Sequence, residues 1–187
     1  MEKIDLREKV LDAAEKLYYA KGFTAVGMDE LRATAGVSLK RIYALFPAKT
    51  DIIAAVLQRK HNEWESSLHR AVLEAGTDAH ARLLAVYNLL EQWFCSEEFR
   101  GCAFINAFGE LGGTNPEVAR IVKEHKADFQ MQMAKFAKES GLSSELAYQL
   151  SLLAEGAQTT AAISADPQAA IQARAAAEVL IAASLRS

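Results

Sequence analysis

Met28-Asp29-Glu30-Leu31-Arg32-Ala33-Thr34-Ala35-Gly36-Val37-Ser38-Leu39-Lys40-Arg41-Ile42-Tyr43-Ala44-Leu45-Phe46-Pro47-Ala48-Lys49 is the stretch that decides how the chain folds. Met28 to Ala35 reads as one short helix, Gly36-Val37 as a tight turn, and Ser38 to Phe46 as a second helix that Pro47-Ala48-Lys49 closes. Leu31, Ala35, Val37, Ile42 and Phe46 are spaced so that the two helices can share a small core. Gly36 suits the positive φ that ends a helix, and Ser38 suits the cap of the next one. Two short helices joined by a Gly-containing turn make a helix-turn-helix. The second helix of that motif enters the DNA major groove and offers its N-terminal residues to base edges.

Lys40 and Arg41 fall in the first turn of the second helix, where the macrodipole disfavours cations. Two cations at such an end point to an anionic partner, either phosphate or the acceptor edge of guanine. The plainer reading of the pair alone is a solvated basic turn. Taken together, Val10-Leu11-Asp12-Ala13-Ala14, Lys21-Gly22-Phe23-Thr24 and Met28 to Lys49 resemble the DNA-binding domain of TetR-family transcriptional regulators. The resemblance covers about the first fifty residues in order. It implies a three-helix N-terminal domain, a larger helical ligand-binding domain, and a dimer built from the last two helices. The recognition helix departs from the common family pattern: Leu39, Lys40 and Arg41 stand where a basic residue, a Gly or Pro, and a Thr or Ser are frequent, and Ala44 and Leu45 follow Tyr43. An operator sequence therefore cannot be carried over from a relative.

Upstream of the motif, Leu6, Val10, Ala13, Ala14 and Leu17 recur at helical spacing and predict a helix over 5–21. Gly22 stops it and Phe23 turns into the three-helix core. Lys3, Arg7 and Lys9 form a charged flank, for which solvation is the plainer reading and phosphate contact the other. Gly27 is an acceptable N-cap for the next helix, with Glu30 at N3 as half of a capping box. The hydroxyls of Thr24 and Tyr43 could reach phosphates; Tyr43 could equally be packing, and the resemblance supports its phosphate role.

Downstream, a long fourth helix over about 48–75 starts at the Pro47 turn. Lys49 and the backbone N–H groups at that start would grip phosphate. Ile52, Ile53, Val56 and Leu57 would support the head, and Trp64, Leu68, Val72 and Leu73 the body. His61, Glu65 and His69 share one face at i, i+4 and i+8, a spacing that permits a metal. No fourth ligand is evident, so a solvated polar face is the expected reading and no metal is expected.

The 187 residues suffice for one or two domains with a real core. Half the residues are hydrophobic and a quarter charged, as in ordinary globular proteins. Three prolines and no alternating apolar runs favour an all-α fold of about nine helices. The net charge of −3 alone argues against nucleic-acid binding, yet residues 1–60 carry a net +3 and residues 61–187 a net −6. A basic head on an acidic body suits a DNA reader. The first residues show no apolar signal core. No uncharged apolar run approaches the roughly 20 residues of a membrane span, and a cytoplasmic location is the expectation.

In the body, Thr77 is placed to cap a fifth helix over about 77–96, with Leu83, Leu84, Tyr87, Leu90 and Phe94. Cys102 to Leu111 is nearly all apolar, which predicts a short helix buried all round, ended by Gly112-Gly113. Its Gly-Cys-x-Phe-Ile-Asn segment also resembles one in the ligand-binding domain of a branch of the family. Asn106 within it, if buried, must be hydrogen-bonded to backbone or ligand. A seventh helix over about 116–140 carries Val118, Ile121, Val122, His125, Phe129, Met133 and Phe136. Two Ala-rich helices over about 143–164 and 167–185 present a wide apolar face; a four-helix bundle with a second copy would cover it, and so would packing within one subunit.

These readings assign residues 1–50 to a helix-turn-helix DNA-binding domain and 51–187 to ligand binding and dimerisation. The DNA-binding candidates are Thr24, Ser38, Leu39, Lys40, Arg41, Tyr43, Ala44 and Lys49. The candidate liners of a mainly apolar effector site are Trp64, Tyr87, Phe94, Phe104, Phe108, Phe129, Met133 and Gln158; Met and aromatic side chains suit a plastic pocket, though each singly is as readily plain core. The expected partners are a double-stranded operator, a small effector and a second copy of the chain. No Ser/His/Asp, phosphate-loop or zinc signature is present, so neither an enzyme nor a cofactor is expected. The alternative is a redox-sensing regulator or thiol enzyme using Cys95 and Cys102. A reactive thiolate needs nearby positive charge, and there Arg100 is opposed by Glu97 and Glu98.

Overall fold

The computed structural model describes residues 2–97 and 99–185, with side chains from Asp5 onward. Lys3 as a flank cation and Glu98 beside the thiols fall outside this set. Among the described residues there are nine helices and no strand: α1 (Glu2–Lys21), α2 (Met28–Ala35), α3 (Leu39–Leu45), α4 (Lys49–Glu74), α5 (Ala79–Phe94), α6 (Ala103–Leu111), α7 (Pro116–Glu139), α8 (Ser144–Ser164) and α9 (Gln168–Ser184). Among the described residues, no helix is long and apolar enough to cross a membrane.

Contacts divide the chain into two compact units. The first holds residues 1–62 and 103–123, and thus α1 to α3, the first half of α4, α6 and the start of α7. Its interior holds most of the residues expected to be inward, Val10, Ala14, Phe23, Leu31, Val37, Ile42, Phe46, Ile52, Ile53 and Leu57, together with Leu11, and all are buried. Burying a Leu or Ile side chain contributes about 1.5–3 kcal/mol, so this set supplies the head's cohesion. Arg59 of α4 reaches back to α1, donating to Asp12 at 2.7 Å and Glu15 at 2.5 Å.

The second unit holds residues 63–102 and 124–187. Leu83, Leu90, Phe94, Phe129, Met133, Leu150 and the alanines of α8 and α9 form one continuous core there. Small side chains let α8 and α9 approach closely: Ala154, Ala157, Ala161, Ala170, Ala173 and Ala177 are all buried. Arg82 pairs with Glu139 at 2.9 Å, fixing α5 against α7.

Three helix ends differ from the sequence expectation. Asp78 caps α5, accepting from the Ala81 N–H at 2.7 Å; Thr77, one residue earlier, does not. Ser38 occupies the N-cap of α3 with extended backbone but makes no side-chain cap bond. Glu30 pairs with Lys21 of α1 at 2.5 Å, an ion pair between helices where a capping box was expected. The expectation that α6 is buried all round is also corrected. Phe104 and Ala107 are buried, whereas Asn106, Phe108 and Gly109 are exposed. Asn106 and Glu110, four residues apart, give α6 a polar face.

Candidate nucleic-acid interface

α2 ends where Gly36 takes φ 64°, and its N–H bonds the Arg32 carbonyl. The Val37 N–H reaches the same carbonyl at 3.2 Å. This turn delivers Val37 into the core and leaves Ser38 extended at the start of α3. Ile42 is the one buried residue of α3. At about 100° per residue, an inward Ile42 throws Lys40, Arg41, Tyr43 and Ala44 outward, and all four are exposed, with Leu39 half-buried. The first turn of α3 carries no acid, and Tyr43 is 45% exposed. The six candidates on this helix and its cap, Ser38 to Arg41 with Tyr43 and Ala44, therefore form one contiguous surface. Tyr43 is therefore not a core residue, though more than half of its surface is covered.

Thr24 and Lys49 meet within the same unit, and a residue the sequence reading did not single out joins them. Glu110, the one charged residue of α6, accepts from the Phe23 N–H at 3.0 Å, the Thr24 N–H at 2.8 Å and the Thr24 hydroxyl at 2.7 Å. Lys49 donates to the Thr24 carbonyl at 3.4 Å and lies 5.9 Å above the Tyr18 ring. Thr24 is thus bracketed, its donors taken by a carboxylate and its carbonyl by an ammonium. Its hydroxyl proton is committed to Glu110 and unavailable to a phosphate.

Gly22 makes the approach feasible. Its φ is +90°, and a Cβ there would sit 2.9 Å from a Glu110 carboxylate oxygen. Burial works against the Glu110 anion, but the bonds from Thr24, the Phe23 amide and the nearby Lys49 charge outweigh it, holding the carboxyl below its ordinary range. Lys49 shows the opposite balance: partial burial lowers its pKa, and Glu110 only partly offsets this. The signal for Glu110 in the sequence was slight, a single acid in a mostly apolar helix.

The candidate effector liners are shared between the two units. Phe104 and Phe108 belong to α6 in the first unit; the other six belong to the second. Trp64 packs on Phe129 with ring centroids 6.0 Å apart and on Trp93 at 6.1 Å. Tyr87, Phe94, Phe129 and Met133 are buried in the second unit's core, and Gln158 is a buried residue of α8. The Trp64 indole N–H is buried without a hydrogen-bond partner, while the Tyr87 hydroxyl is satisfied. Phe108 is 54% exposed. An open groove of about 330 Å³ lies between α7 and α8, lined by Ala127, Gln130, Met131, Ala134, Ser144, Ala147, Tyr148 and Ser151; none of the candidates borders it.

Both cysteines are free thiols, Cys95 exposed and Cys102 buried. The Cys102 sulfur lies 3.6 Å from the Lys126 ammonium, which is itself held by Glu155 at 2.6 Å. Among the described residues, no three His, Cys, Asp or Glu side chains gather as a metal site. On the His61 face, Glu65 accepts from Gln132 at 3.0 Å.

Residues 10–56 match the family of bacterial regulatory proteins called the tetR family. The chain is 34% identical over 117 residues to the HTH-type transcriptional activator FasR of Mycolicibacterium smegmatis, covering 63% of this chain and 52% of the relative. It is 29% identical over 108 residues to the HTH-type transcriptional repressor NemR of Escherichia coli, covering 57% and 54%. These matches span about half the length of the curated relatives. Among solved structures, a TetR-family transcriptional regulator from Streptomyces coelicolor superposes with a TM-score of 0.87 at 25% identity, over 96% of this chain and 95% of that one. The relatives are regulators and not enzymes, so the thiol-enzyme alternative finds no support among them.

Proposed function

We propose that the chain, whose residues 10–56 match the tetR family of bacterial regulatory proteins, belongs to that family and is a DNA-binding transcriptional regulator that works as a homodimer and represses. Residues 1–50 read a palindromic operator, and residues 51–187 bind a small, mainly apolar effector and the second copy. The observation that carries the reading is the outward surface of α3. Lys40 and Arg41 stand exposed at its N-terminal turn while Ile42 anchors the helix from behind. In a helix-turn-helix, this is the edge that faces the bases.

Arg41 reads a base edge, Lys40 and Tyr43 hold phosphates, and Ser38, Leu39 and Ala44 complete the surface. Lys49 grips the backbone at the start of α4. Dimerisation through α8 and α9 is supported by apolar side chains left uncovered there: Tyr148, Leu152 and Ile163 on α8, and Ile171 and Val179 on α9. The two-fold pair then spaces its recognition helices by about one helical turn of DNA or a multiple of it. An effector held among the aromatic residues of the second unit lowers DNA affinity only through its differential affinity for the two states of the dimer.

Selection of random duplexes by the purified protein, followed by sequencing, tests the reading. Enrichment of a palindrome is the expected result. A folded, dimeric protein that enriches nothing at moderate salt would overturn it. The enriched duplex then serves to screen effectors by release.

A further inference from the structure

We propose that Glu110 is a positioning residue for the DNA-reading head, fastening the α1–α2 connection from α6 and fixing Lys49 against it. The inference rests on the reading of residues 1–50 as a DNA-binding domain.

Two backbone N–H groups leave α1 with no helical partner, those of Phe23 and Thr24, and unpaired donors are costly. Glu110 takes both, 87 and 86 positions down the chain. The same carboxylate takes the Thr24 hydroxyl. On the far side of Thr24, its carbonyl receives Lys49. Lys49 opens α4, so the loop that Glu110 orders is also the seat of the cation proposed to grip phosphate. Gly22 leaves the room that the carboxylate occupies. Phe104 shares the nine-residue helix with Glu110, so whatever displaces α6 also moves this acceptor.

The test measures duplex affinity at fixed salt for the wild-type chain, Glu110→Ala, Glu110→Gln, Lys49→Ala and the Glu110→Ala/Lys49→Ala pair, at a temperature where each is folded. Glu110→Ala is expected to bind about tenfold more weakly, on selected and random duplexes alike as for a backbone contact. Glu110→Gln keeps one acceptor oxygen and should fall between. If Glu110 acts through Lys49, its loss should shrink to within about twofold in the Lys49→Ala background. A purely structural role would lower the melting temperature without this coupling.

Unchanged affinity in Glu110→Ala, fully additive losses, or tighter binding by Glu110→Gln would each overturn the inference while leaving the DNA-binding reading intact. Failure of the wild-type chain to bind any duplex would overturn that reading and the inference with it. Should Glu110→Ala not fold, Glu110→Gln and Thr24→Val carry the same comparison with Lys49→Ala.

Discussion

The phenolic hydroxyl of Tyr87 donates to the main-chain carbonyl of Leu150 across 2.7 Å, tying α5 to α8 inside the second unit. Tyr87→Phe keeps the ring and removes this bond. The Leu150 carbonyl retains its place in the α8 ladder, so the cost is that of one neutral hydrogen bond, about 1 kcal/mol. Calorimetry should show the melting temperature falling by about 2–4 °C; an unchanged value would mean the bond adds nothing net.

Burial pushes the phenols of Tyr18 and Tyr87 above the ordinary tyrosine value. The native state thus holds protons that the unfolded chain releases near pH 10. Stability from this source is complete below about pH 10 and is lost as pH rises beyond it. Urea unfolding along an alkaline series, read beside phenolate absorbance, should show these two phenolates appearing only with unfolding. Their ionisation in the folded protein would count against the burial argument.

Gly22→Ala meets two obstacles, a φ of +90° and a Cβ 2.9 Å from a Glu110 oxygen. The left-handed backbone alone costs an L-residue about 1–2 kcal/mol. The urea midpoint should drop accordingly, and the Phe23 and Thr24 amides should exchange faster as Glu110 is pushed off. Retained protection at those amides would show that the carboxylate can shift without letting go.

Arg41 and Lys49 should respond differently to truncation. Arg41→Ala should cost about 1–3 kcal/mol on the selected duplex and far less on random DNA if it reads a base. Lys49→Ala should weaken both alike and flatten the salt dependence of binding. An equal loss on both duplexes for Arg41→Ala would make it a backbone contact, and an unchanged salt slope would remove Lys49 from that role.

Val179 is 67% exposed on α9. Val179→Glu would place a charge in the proposed dimer face, where burial without a partner is expensive. Sedimentation should then find monomer at concentrations where the unaltered chain is dimeric, and palindrome affinity should fall at least about tenfold. A Val179→Glu dimer of undiminished affinity would place the interface elsewhere.

Much of the head was legible because its determinants are local. α2 begins at Met28 and ends at Ala35 as the pattern predicts, Gly36 supplies the left-handed cap, and Ile42 and Phe46 face inward at their helical spacing. Thr77 and Asp78 are both competent caps, and only the path of the chain into α5 chooses Asp78. Glu110 was illegible for a different reason. Its partners are more than eighty residues away, and no periodicity links a lone acid on α6 to a loop after α1. Asn106 and Phe108 were misplaced because the polar face that Asn106 and Glu110 mark on α6, four residues apart, was outweighed by the apolar run around it.

The carboxylate on α6 also limits how this protein can be cut and recombined. A DNA-reading segment exchanged at residue 50 would leave behind the acceptor for its own Phe23 and Thr24 amides. Chimeras joined there would carry two unmet donors into a foreign body unless the recipient offers an acid at the matching place. Inheritance of a new operator specificity by this chain is therefore easier through changes on the outer surface of α3 than through wholesale replacement of its first fifty residues.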